Sequence, residues 1–305
     1  MKFINSPPKV AQSVNIRVVD NSLRHASCPL CGSNAINCLG RIGQPAYQFY
    51  SSVSISLTRE PEIWECASCQ SRFTQNAVTR ADSRELYSIG SSNLRWSYKK
   101  VESSYLNVKP RRFRELILQL FANSKSILDI GSNDGAFLDV AKTFNLDTCG
   151  VEFSESGRRM TMGKGHRVYA DISEVEQNYD LITAFDLVEH CYDLPGFLRL
   201  CSMKMSSNGR LAIFTGNPQS LSAKVSRNGW WYSRYPEHVV FPSIKYMAGL
   251  KYFVTEKIFF IPHGQAGPLM PVRVCASLIK DVISGGFSGF AGYTSDHYVM
   301  VLRTA

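Results

Sequence analysis

SILDIGSNDGAFLDVAKTFNLDTCGVEFSES, residues 126–156, sets apolar runs on either side of a turn with two glycines. Ser126–Ile130 is a run of β-formers without a breaker, with one acid near its tip, and reads as a short buried strand. Gly131-Ser132-Asn133-Asp134-Gly135 is a turn with two glycines, which permit positive φ and the close approach of a ligand to the backbone. Ala136–Phe144 places Phe137, Leu138, Ala141 and Phe144 on one side of an amphipathic helix. A second strand, Thr148–Phe153, carries Glu152, 23 positions after Asp129. Strand, glycine turn, helix, strand and acid make up a nucleotide-binding βαβ unit, in which the acid can accept hydrogen bonds from a ribose diol.

The turn lacks the full dinucleotide fingerprint. Asn133 and Asp134 occupy its centre, and a carboxylate there would repel a pyrophosphate. A ligand with an ammonium or sulfonium and no phosphate suits the turn better, and S-adenosylmethionine (SAM) is such a ligand. The competing reading is a purely structural βα turn in some other α/β protein.

Strands and helices alternate from 126 onward, which implies a doubly wound parallel sheet. His166–Tyr169 is the third strand, with Asp171 just past its end. Leu181–Phe185 is the fourth, Leu211–Phe214 the fifth and Lys257–Ile261 the sixth. Pro271–Ser284 reads as a helix, and Asp296–Leu302 is the last strand. Ligands in such sheets sit beyond the carboxyl ends of the strands, so Ala184, Phe185 and Asp186 should line the pocket.

Four motifs carry a family resemblance. Asp129-Ile-Gly-Ser-Asn-Asp-Gly135 and Gly150-Val-Glu-Phe153 resemble the first two motifs of SAM-dependent methyltransferases with the Rossmann-like fold. Tyr179-Asp-Leu-Ile-Thr-Ala-Phe-Asp-Leu-Val-Glu-His190 looks like their fourth-strand motif. Asn208-Gly-Arg-Leu-Ala-Ile-Phe214 looks like their glycine turn and fifth strand. The resemblance implies an α/β, seven-stranded, mostly parallel sheet whose last strand is antiparallel. It also implies SAM contacts at Asp129, Gly131, Ser132, Asn133, Asp134, Gly135, Glu152, Phe153, Asp171, Ile172, Phe185, Asp186 and His190. Asp171 serves equally as a helix N-cap. The GSNDG turn is similar to that of sugar C-methyltransferases acting on nucleotide-linked keto-sugars, which also carry an N-terminal zinc module. Those enzymes continue into a further C-terminal domain, whereas this sequence has 305 residues.

Two pairs, Cys28-Pro-Leu-Cys31 and Cys66-Ala-Ser-Cys69, are separated by 34 residues. Each knuckle offers two thiolates from one tight turn, which together suit a closed, structural tetrahedral zinc site. Cys38 is a substitute ligand without a partner. The segment between the pairs is long for a zinc ribbon, and its aromatic and β-branched residues suggest an inserted hairpin. The expected layout is an arm over 1–24 with a strand at Val14–Val19, a zinc-binding module over 25–80, a helical linker over 81–125 and the SAM-binding domain over 126–305. Within the linker, a helix begins near Asp82 as N-cap, a second spans about Asn93–Tyr105, and a third opens at Pro110. That third helix carries a core stripe of Phe113, Leu116, Ile117, Leu120 and Phe121.

The chain carries 34 Lys and Arg against 25 Asp and Glu, and the excess is uneven. Residues 1–125 hold 17 basic against 8 acidic residues, and the rest 17 against 17. The densest part is Lys99, Lys100, Lys109, Arg111, Arg112 and Arg114, which reads as a phosphate-binding patch or as a solvated helix face. Nine cysteines without a secretion signal point to a reducing, cytoplasmic setting, and no apolar run reaches membrane-spanning length.

Methyl transfer is an in-line displacement whose acceptor often needs deprotonation, and a histidine suits that task. His190 and His238 are the two candidates. Tyr235-Pro236-Glu237-His238 resembles the Tyr-x-Glu-His catalytic run of the sugar C-methyltransferases. The resemblance assigns proton abstraction to His238, orientation of its imidazole to Glu237 and acceptor binding to Tyr235. The expected acceptor is a small glycosyl or nucleotide-sugar compound. O- or N-methylation of another small metabolite is one alternative. A nucleic-acid modifier docked by its basic zinc module is another, disfavoured because no Asn-Pro-Pro-Tyr-type motif follows the fourth strand.

Overall fold

The structure, a computed structural model, describes residues 16–43, 48–50, 52–89, 111–234, 236–261 and 296–305. The N-terminal part contains strands β1 (Arg17–Val19), β2 (Ile36–Arg41), β3 (Gln48–Tyr50), β4 (Val53–Leu57), β5 (Glu62–Cys66) and β6 (Arg72–Gln75). β3 and β4 form the hairpin expected between the cysteine pairs, and β1 joins β4 in parallel. β2, β5 and β6 form an antiparallel sheet that presents both knuckles at one end. All four residues of β6 are buried, because the strand is flanked on both sides.

Helix α1 (Arg80–Ile89) follows. Asp82 was the expected N-cap, but Thr79 takes that place: its Oγ1 accepts from the Asp82 amide at 3.2 Å, and the Asp82 carboxylate binds the Asp20 amide instead. The helix expected at Asn93–Tyr105 lies outside the described residues, as does the one expected at Pro271–Ser284. Helix α2 (Arg111–Ala122) buries Phe113, Leu116, Ile117, Leu120 and Phe121, the stripe expected from the sequence. Each such side chain contributes about 1.5–3 kcal/mol on full burial. Of the expected basic patch, Arg111 is exposed and ion-paired to Glu115 one turn along, as on a solvated helix face.

The main sheet comprises β7 (Ser126–Ile130), β8 (Asp147–Val151), β9 (Arg167–Tyr169), β10 (Tyr179–Phe185) and β11 (Met205–Gly216). Helices α3 (Ala136–Thr143), α4 (Glu155–Gly163) and α5 (Leu194–Met203) connect them. After helix α6 (Leu221–Ser226) come the two-residue strand β12 (Val240–Phe241), helix α7 (Ile244–Ala248), β13 (Phe253–Ile261) and β14 (His297–Thr304). The seven strands run in the order β13-β14-β11-β10-β7-β8-β9. β7 to β11 are parallel, and β14 is antiparallel to both β11 and β13, as the resemblance implied. Successive residues of the strands feed opposite faces. Leu181 and Ala212 pack under α2 and α3, whereas Ile182 and Ile213 pack with Leu194 and Leu198 of α5.

Two further features were not read from the sequence. Asn208-Gly209 is no turn; β11 runs through it, and Gly209 marks close backbone approach, since a Cβ there would stand 2.8 Å from the Tyr179 carbonyl. The cysteine-bearing sheet is also not closed within its own stretch. Its fourth strand is β12, which pairs antiparallel with β6 through Val240–Phe73 and Phe241–Arg72. No helix among the described residues is long and apolar enough to cross a membrane.

Candidate functional site

The glycine turn adopts the conformations its sequence demands. Gly131 (φ 81°), Asn133 (φ 52°) and Gly135 (φ 76°) are all left-handed, a region open to glycine and tolerated by asparagine. The Gly131 and Ser132 amides both donate to the Val151 carbonyl, tying the turn to the end of β8, and Ser132 is buried. Asp134 is absorbed locally: its carboxylate accepts from the Ala136 amide at 3.1 Å.

Glu152 lies just past β8. Its carboxylate accepts from the Asn133 amide at 2.9 Å and from the Ser154 amide at 2.8 Å. Burial raises its pKa, against the pull of those two amides. Each oxygen retains acceptor capacity, so the group can also take a ribose hydroxyl. Asp129 sits deeper, accepting from Thr183 Oγ1 at 2.6 Å across the β7–β10 pairing, and burial pushes it up to about 7. Of the other residues expected around a cofactor, Phe153 is exposed and Ile172 is buried. Asp171 is exposed and N-caps the short turn after β9, accepting from Ser173 N at 2.9 Å and Ser173 Oγ at 2.7 Å; these bonds hold its carboxyl below the usual range. Phe185, expected to line the pocket, packs edge-on against Phe113 and Phe137 on the α2–α3 face. Asp186 is left-handed (φ 50°), its amide bonded to the Phe214 carbonyl.

A second constellation lies beyond the carboxyl ends of β10 and β11. Leu187, which packs against Gly131, opens the turn Val188–His190 and so joins the glycine turn to this region. Glu189 is fully buried; Thr215 Oγ1 donates to it at 2.8 Å and the Tyr232 hydroxyl donates to its other oxygen. Burial raises its pKa against these two bonds. The His190 ring donates from Nδ1 to the Glu237 carbonyl at 3.0 Å, and the Tyr87 hydroxyl of α1 stands 3.1 Å from the same nitrogen. The His238 ring donates from Nδ1 to the Tyr232 carbonyl at 2.9 Å. A carbonyl can only accept, so Nδ1 carries a proton in both rings, and in the neutral form of each the lone pair is on Nε2. Glu237 and His238 are buried, and Tyr235 lies outside the described residues.

Sequence reasoning brought the two histidines forward but missed Tyr87, Glu189, Thr215 and Tyr232. Glu189 stood inside the motif beside His190, and Tyr232 in the run Trp230-Trp231-Tyr232 shortly before His238. Tyr87 carries no sequence signal, because its place depends on how α1 packs.

At the cysteine end, Cys28 and Cys69 sulfurs are 3.7 Å apart and Cys31 and Cys66 sulfurs 3.6 Å apart. A tetrahedral zinc with Zn–S of about 2.3 Å requires sulfurs about 3.8 Å apart, so the four side chains fit that ion. Both knuckles use one turn, in which the Gly32 amide donates to the Cys28 carbonyl and the Gln70 amide to the Cys66 carbonyl, with Gly32 and Gln70 left-handed. Cys38 lies on β2, exposed, outside the cluster. Among the described residues, one other group has ligand-type atoms within 4.8 Å of each other: Glu189, His190 and His238.

Residues 104–250 match the family model described as a methyltransferase domain. No curated protein matches the chain. Its fold is similar to several solved structures. A SAM-dependent methyltransferase from Archaeoglobus fulgidus is 20% identical, with 64% of this chain and 91% of that one covered and a TM-score of 0.43. The N-methyltransferase NodS from Bradyrhizobium japonicum, solved with S-adenosyl-L-homocysteine, is 12% identical, with 73% and 97% covered and a TM-score of 0.46. A coclaurine N-methyltransferase bound to N-methylheliamine and S-adenosyl-L-homocysteine is 16% identical, with 63% and 72% covered and a TM-score of 0.44.

Proposed function

We propose that the chain is a SAM-dependent methyltransferase of a small molecule, a reading supported by the match of residues 104–250 to a methyltransferase domain, and that the acceptor is a nucleotide-linked sugar. SAM supplies an electrophilic methyl group. In this reading the left-handed turn Gly131–Gly135 admits the cofactor against the backbone, and Glu152 holds its ribose. Asp171 and Ile172 stand at the end of β9, where an adenine edge would lie.

The observation that carries the reading is the pair of imidazoles beyond β10, each held by an Nδ1–H bond to a main-chain carbonyl. That arrangement sets the tautomer of the neutral ring, in which Nε2 is the atom that would take a proton, as a general base requires. His238 is the proposed base toward the acceptor. Glu237 is proposed to orient or charge that imidazole, with its carbonyl also accepting from His190, and Tyr235 is the proposed acceptor contact. Tyr87 and His190 border the same place. The sugar assignment rests on the resemblance of Gly131–Gly135 and of Tyr235–His238 to the sugar C-methyltransferases. Cys28, Cys31, Cys66 and Cys69 are the proposed ligands of one structural zinc.

The test is transfer of labelled methyl from SAM across a panel of nucleotide-linked keto-sugars, free sugars, small amines, phenols and RNA. Labelled nucleotide-sugar is the expected product. Labelling of the amines or phenols alone would move the acceptor class, and labelling of RNA alone would reinstate the nucleic-acid reading.

A further inference from the structure

We propose that the Cys66–Cys69 knuckle is the buttress of the His238 segment, with Thr74 and Ser243 as the positioning residues that tie one to the other. The inference rests on the readings of the four thiolates as a metal site and of His238 as acting on the acceptor, and adds a coupling between them.

Residues 238–243 run alongside residues 69–74 and are fastened at both ends. The Thr74 amide donates to the Val239 carbonyl at 2.9 Å, and Thr74 Oγ1 donates to the His238 carbonyl at 3.0 Å. The β6–β12 pairs Phe73–Val240 and Arg72–Phe241 follow. At the other end, the Ser243 amide donates to Ser71 Oγ at 2.9 Å, and Ser243 Oγ donates to the carbonyl of Cys69. Ser71, Thr74, His238 and Ser243 are all buried, so water cannot replace these partners.

The knuckle end of this ladder is held by its own turn. The Cys66 amide donates to the Ser71 carbonyl at 2.9 Å, and the Cys69 amide points at Cys66 Sγ. Fixing Cys66 Sγ and Cys69 Sγ on one ion therefore fixes the Cys69 carbonyl and Ser71, the two groups that Ser243 grips. The strand carries that restraint to the His238 carbonyl. Thr74 and Ser243 grip the backbone of the His238 segment; they act through the placement of His238, which a base must keep within hydrogen-bond reach of its proton. Coupling is reciprocal, so the grip of residues 238–243 must also tighten metal binding.

The experiment uses the full-length, zinc-loaded protein. Zinc release to a chromophoric chelator, amide hydrogen exchange, SAM calorimetry and methyl transfer are measured for the natural protein and for Ser243→Ala, Thr74→Val and Thr74→Ser. Ser243→Ala and Thr74→Val should release zinc about tenfold faster. They should exchange faster across 238–243 and lose kcat while binding SAM as the natural protein does. Thr74→Ser, which keeps the hydroxyl, should restore all three. Zinc removal from the natural protein should raise exchange at 238–243 as well as at 66–71. If the stripped protein unfolds, the zinc-loaded variants decide alone. Zinc release at the natural rate in both variants overturns the proposal. So does exchange that rises at 66–71 but not at 238–243. A chain that purifies without metal overturns it together with the zinc reading, whereas normal turnover in His238→Ala with the zinc coupling intact removes only the base assignment and leaves the coupling supported.

Discussion

The rings of His190 and His238 stand 4.8 Å apart at 74° to each other, one on the turn after β10 and the other at the entry to β12. Two imidazoles so close, each donating its Nδ1 proton to the backbone, bring half-buried His190 and buried His238 into one place beyond β10. His238→Ala should lower turnover by about 10²–10⁴-fold, the usual share of general base catalysis, with SAM affinity nearly unchanged. Steady-state kinetics with calorimetry check this. Near-normal turnover in His238→Ala together with loss in His190→Ala would transfer the role to His190.

Glu189 is the buried acceptor for Thr215 and Tyr232. Glu189→Ala should leave both hydroxyls without it, at about 1–3 kcal/mol for each. Glu189→Gln retains an acceptor oxygen and should cost clearly less. Denaturant unfolding of the two variants checks the order, and equal stability would show that the two hydroxyls find other partners.

Burial raises Asp129 from an ordinary 3.8 to about 7, so the folded protein favours its protonated form. That contribution to stability is complete below about pH 4 and is lost as pH rises toward 7. Asp129→Asn carries no such loss. The melting temperature of the SAM-free variant, relative to the natural protein, should therefore rise between about pH 4 and pH 7. A difference that stays flat over that window would show that folding leaves the Asp129 carboxyl unshifted.

Much of the main sheet was legible because its strands are short apolar runs between turn residues: Ser126–Ile130 is found at the expected bounds. The glycine turn was legible for the same local reason, since Gly131 and Gly135 take the φ values that glycine serves. Errors arose where neighbours outweighed local signals. Asn208-Gly209 reads as a turn, yet flanking Met205 and Leu211 are buried in one strand with it. β12 could not be read at all, because two residues make a strand only when β6 lies beside them. The surroundings of His238 were likewise hidden, since Thr74 and Tyr87 reach it and its neighbour His190 from the N-terminal part through tertiary packing alone.

The turn after β7 and Glu152 are proposed to hold SAM while His238 serves the acceptor. Titration calorimetry of SAM into the natural protein, Glu152→Ala and His238→Ala separates these roles. Glu152→Ala should weaken binding by about 1.5–3 kcal/mol, the worth of hydrogen bonds to a charged group, and His238→Ala should bind as the natural protein does. Equal SAM affinity in the natural protein and Glu152→Ala, or no SAM binding by the natural protein, would contradict the account.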